Sequence, residues 1–82
     1  MSSIEEVRAM LLGAVEQIGT ARQHAGVARG RIDDAVGVLV GLGEHREPLV
    51  PPELQRAADV LDRGLALIGA GENTVADLAA RL

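Results

Sequence analysis

Residues 4–42, IEEVRAMLLGAVEQIGTARQHAGVARGRIDDAVGVLVGL, decide the fold. Within them Ile4, Val7, Leu11, Ala14, Ile18, Ala21, Ala25, Ala28, Ile32, Ala35, Leu39 and Leu42 recur at alternating steps of three and four. An apolar period of about 3.5 residues, held over the whole stretch, predicts one long helix with a stripe pressed against a partner helix. The second half of the chain repeats the steps at Leu54, Ala57, Leu61, Gly64, Ile68, Gly71, Val75, Leu78 and Leu82. The two stripes together predict an all-α fold: an antiparallel helical hairpin of two long, coiled-coil-like helices, forming a single domain over residues 1–82.

Local signals set the expected ends. Ser3-Ile4-Glu5-Glu6 reads as a capping box, with two acids against the positive end of the helix dipole. Helix 1 is expected over about residues 4–42 and a loop over 43–51. Gly41 and Gly43 can supply a C-terminal stop with positive φ, and Pro48 forbids continuation. Helix 2 is expected over about 52–81, with Pro52 at its first position and Leu49 and Val50 folding back as a staple. Gly69-Ala70-Gly71 followed by Glu72, Asn73 and Thr74 resembles a turn, but the heptad phase runs through it, so one continuous helix is expected, with room for a kink near Gly69 to Gly71. Gly13, Gly19, Gly26, Gly30 and Gly37 oppose helix 1 by up to about 1 kcal/mol each; the unbroken stripe outweighs them.

Pairing the stripes at the loop sets Leu39 against Ala57, Ala35 against Leu61, Ile32 against Gly64 and Ala28 against Ile68. Large meets small at these layers, as dense packing requires. The same register leaves Ile4, Val7 and Leu11 without intrachain partners. With Met10 and Leu12 they form a candidate partner-binding overhang. Val15 and Val36 on helix 1, and Val60, Leu65 and Leu67 on helix 2, widen the stripes beyond what one hairpin buries. They are candidate oligomer contacts, and a four-helix bundle of two hairpins is expected. On the outer face Gly26, Gly30, Gly37 and Gly41 are a second set of candidate contacts, by analogy with small-residue spacings that let helices approach closely.

Composition bounds the function. The chain has 82 residues, 48% of them apolar, yet no aromatic side chain and no cysteine. A chain this short buries only about 60–65% of its surface, so stability must come from area along a seam. The net charge of −4, with twelve acids against eight arginines and no lysine, argues against a nucleic-acid partner. Arginine in place of lysine beside heavy alanine, glycine and valine usage looks like a high-GC actinobacterial genome. No signal peptide and no apolar run of about 18 residues is present. The expectation is a cytoplasmic protein without a membrane span, with signal-peptide-independent export left open.

No constellation of catalytic residues emerges. His24 and His45 are the two histidines. Glu44, His45 and Glu47 could weakly hold a divalent ion, but their spacing matches no established site. The pairs Glu5–Glu6 and Asp33–Asp34 diverge by about 100° on a helix and do not converge as a dyad would. The glycine spacings lack the lysine and preceding strand of a phosphate loop. No catalytic, cofactor-binding or metal-ligating residue is assigned, and no cofactor or enzymatic activity is expected.

Length, helix–turn–helix plan, acidic balance and alanine-rich seams resemble the ESX or WXG-type small proteins of actinobacteria. That resemblance implies a helical hairpin that pairs into a four-helix bundle and works through protein–protein contacts. The turn, Gly41-Leu42-Gly43-Glu44-His45, carries no Trp-x-Gly, and Val75 to Leu82 contains no tyrosine, so no family binding residue is carried over. The expected function is a non-enzymatic interaction module that binds itself and another protein. The alternative is a structural subunit of a repeating assembly such as a filament or shell.

Overall fold

A computed structural model describes residues 3–43 and 50–82. Two helices, α1 (Ile4–Leu42) and α2 (Pro52–Arg81), pack against each other as an antiparallel hairpin. Their direction is set by two cross-helix ion pairs, Arg22–Glu72 and Arg29–Asp62, in which the numbers rise on one helix as they fall on the other. The hairpin is a rod of 66 × 17 × 14 Å with a radius of gyration of 18.9 Å. A compact chain of this length would have a radius near 12 Å.

The α1 start follows from its cap: Ser3 sits in extended backbone and its Oγ accepts from the Glu6 N–H at 3.0 Å. The α1 end differs from the expected left-handed glycine stop. Gly41 is still helical, and Gly43 has φ −80° and ψ −5°, its N–H donating to the Leu39 and Val40 carbonyls. A tightened last turn therefore satisfies these carbonyls without positive φ. Pro51 occupies the α2 cap position in extended backbone and Pro52 opens the helix, where a missing N–H costs nothing. Leu49 of the expected staple, with Glu44, His45, Glu47 and Pro48, lies outside the described residues. α2 continues unbroken through Gly69–Thr74, where the Thr74 hydroxyl donates to the Ala70 carbonyl at 2.9 Å.

The seam takes in six of the twelve expected stripe residues on α1 and six of the nine on α2. On α1 the half-buried side chains include Leu11, Ile18, Ala25, Ile32 and Leu39, and beside them Val15, Arg29 and Val36. On α2 they include Leu54, Leu61, Ile68 and Val75 beside Ala58, Leu65, Glu72 and Ala79, of which Ala58 and Ala79 are buried to 3% and 2% exposure; Gly64, Gly71 and Ala76 are half-buried as well. The rows expected to complete the seam, Ala21–Ala28–Ala35 on α1 and Ala57 and Leu78 on α2, are exposed. Relative to the shared row, a residue four positions on lies about 40° to one side and a residue three positions on about 60° to the other. The helices have rolled toward the four-step side because Val15, Val36 and Leu65 bury more apolar area than alanine and glycine do. The arginine stems of the same row add cover while their charged heads reach outward.

The register moves with the roll. The expected pairing would set residue 22 opposite residue 74 and residue 29 opposite residue 67. Instead Arg22 meets Glu72 and Arg29 meets Asp62. The acids that pair lie two and five residues before the expected positions on α2, on the order of 3–8 Å along the rod.

Candidate interaction surfaces

The hairpin has two unlike broad faces. Antiparallel helices are related by a local two-fold axis perpendicular to the plane that contains them, so equivalent rows of α1 and α2 fall on the same face. One face carries the ionic groups. Arg22 Nε donates to Glu72 Oε2 at 2.9 Å, over Gly19, where an added Cβ would lie 3.9 Å from Glu72 Oε1. Arg29 grips Asp62 through Nε and Nη2 at 2.7 and 3.3 Å and also donates to Asp33 one turn along α1. These bonds hold the Asp62 carboxyl below its ordinary range and raise the Arg29 guanidinium above its own.

The opposite face carries the three-step rows: Ala14, Ala21, Ala28 and Ala35 on α1, with Ala57, Gly64, Gly71 and Leu78 on α2, of which Ala14, Gly64 and Gly71 are half-buried and the others exposed. No charged residue occupies either row. Six of the twelve large apolar side chains exposed among the described residues border this face, Val7, Met10, Val38 and Leu42 from α1 and Val60 and Leu67 from α2, and Leu78 lies on it. Leu67 at 73% and Met10 at 70% are the most exposed of them. An added Cβ at Gly64 or Gly71 meets nothing within 4 Å, so the floor of this face is open.

The residues singled out by sequence divide accordingly. Ile4, Val7, Met10 and Leu12 are exposed on the first turns of α1, whereas Leu11 is half-buried near the end of α2. Val15, Val36 and Leu65, expected to remain for a second subunit, are half-buried on the rows that close the hairpin. Val60 and Leu67 stay exposed. Gly26, Gly30, Gly37 and Gly41 are exposed, with open space at each Cβ position. Leu12, Val27 and Val40 are exposed away from the alanine face. Apolar counting missed Arg22, Arg29, Asp62 and Glu72. Their signal was present as charges one heptad apart on α1, with acids on α2 at matching levels.

Among the described residues no group of three His, Asp or Glu side chains could hold a metal ion, and no helix is long and apolar enough to cross a membrane. No protein-family model, curated protein or solved structure matches the chain.

Proposed function

We propose that this protein is a non-enzymatic interaction module: a self-associating helical hairpin that works by presenting apolar helix faces to protein partners, its own copies first. One observation carries the reading. The chain exposes 6184 Å², whereas a compact monomer of 8.5 kDa exposes about 4,650 Å². The surplus of roughly 1,500 Å² exceeds the ~800 Å² that each partner contributes to a standard interface. Each helix also carries two adjacent uncharged rows beside a third that mixes apolar residues with Arg22 and Arg29 or with Glu72, a stripe wider than one neighbour covers and the pattern of a helix with two neighbours in a bundle. The plan shared with the ESX/WXG-type proteins supports the same reading, and Ile4, Val7, Met10 and Leu12 offer the contact for a further protein.

Light scattering across a wide concentration range tests it. A constant mass of two or four chains is the expected result, and a monomer at every concentration would remove the proposal. The second reading, a subunit of an open assembly, is favoured by Val27 and Val40, which are exposed away from the alanine face. It predicts mass rising without a closed limit.

A further inference from the structure

We infer that the alanine face is a self-complementary surface, on which a second copy docks face to face, antiparallel, with its loop at the opposite end of the rod. This rests on the self-association proposed above and specifies its geometry. On α1 the side chains along the face are large at the ends and small in the middle. Val7 and Leu42, Ala14 and Ala35, and Ala21 and Ala28 are symmetric about a point between residues 24 and 25. On α2 the positions Gly64 and Gly71, then Ala57 and Leu78, are spaced evenly about a point between Leu67 and Ile68, small in the middle and with one large end, Leu78.

The two centres lie at one level of the rod. Leu67 is midway between Asp62 and Glu72, and these pair with Arg29 and Arg22. Leu67 therefore stands beside residues 25 and 26, within about one residue, or ~1.5 Å, of the α1 centre. A single two-fold axis through that level serves both helices, which is what a closed, isologous interface requires. It sets Met10 over Val38 of the partner subunit, so the overhanging turns of α1 gain cover. It brings Leu67, the most exposed of the large apolar side chains, against its own symmetry mate. It also sets Glu53 opposite the partner's Arg81 twice over, joining opposite charges at both ends of a face whose other charged residue along the Met10–Val38 row is Arg31. A face of 66 × 17 Å spans roughly 1,100 Å², more than the ~800 Å² per partner of a stable dimer.

The absence of cysteine makes the test direct. Leu67→Cys is expected to oxidise rapidly to a disulfide-linked dimer, and Gln23→Cys, on the back of α1, to remain a free thiol. Glu53→Arg is expected to weaken the dimer roughly three- to ten-fold, and Arg81→Glu added to it to restore the original constant. Residues 53 and 81 are on the order of 42 Å apart along α2, so this rescue is necessarily intermolecular. A dimer by light scattering whose Leu67→Cys does not cross-link, or whose charge swap gives no rescue, would overturn this geometry and leave self-association standing. A monomer at all concentrations would overturn both.

Discussion

Arg29 joins the two helices at one point and braces its own helix at the same time: its guanidinium chelates the Asp62 carboxylate across the seam while also donating to Asp33 one turn away. The fork geometry of arginine makes this possible, since five donors in one plane serve two carboxylates that a lysine could not hold together. Such a pair contributes modestly because its groups remain in contact with water. Its larger effect is on alignment, because a large slide of α2 would carry Asp62 out of reach of Arg29.

The depressed carboxyl of Asp62 gives a signed pH dependence. Its contribution is complete above the unfolded value of about 4 and is lost as pH falls through the lower folded value. Asp62→Asn is therefore expected to lower Tm at neutral pH and to leave it nearly unchanged at pH values near 2. Thermal melts at the two pH values check this; an equal loss at both would show that the carboxylate charge contributes nothing.

Arg22 and Glu72 supply a second cross-link one heptad along, with Glu72 half-buried on a row that closes the seam. Reversal of one charge, Arg22→Glu, is expected to lower Tm by several degrees, and Glu72→Arg added to it to recover most of the loss. Absence of recovery in the double variant would mean that the pair does not align the helices.

Ala58 is one of two buried side chains among the described residues. A carboxylate there would be desolvated without a partner, so Ala58→Asp is expected to cost about 3 kcal/mol or more and to abolish cooperative melting. Ala57→Asp, one residue away and exposed in the hairpin, is expected to keep helicity while weakening self-association. Circular dichroism and light scattering on the pair separate the seam from the alanine face.

Gly30 is an exposed helix residue with open space where a Cβ would stand. Gly30→Ala is expected to stabilise the protein by about 0.5–1 kcal/mol, the entropy that glycine loses in a helix, with no change of mass. Chemical denaturation measures the gain. A loss of stability instead would place a close helix neighbour on that side and favour the open assembly.

Much of this fold was legible in local signals. Ser3 before Ile4-Glu5-Glu6 and Pro52 before Glu53 mark helix starts by chemistry confined to one turn, and the three-four period marks the apolar side of each helix. The row shared by both possible seams, Leu11 to Leu39 on α1 and Leu54 to Val75 on α2, was likewise visible. The choice between the rows beside it was not. Counting apolar letters favours Ala21 and Ala28 over Arg29 and Glu72, and it does not show that Val15, Val36 and Leu65 are half-buried within the hairpin.

What the sequence by itself determined is therefore everything that depends on a few neighbouring residues: helix type, helix ends, the position of the connection and the antiparallel plan. Only the tertiary structure decided the roll of the helices, their offset of two to five residues and the identity of the free face. Those depend on which of two overlapping rows buries more area and closes more ion pairs when both helices are present at once. That is a property of the pair, and neither helix encodes it alone.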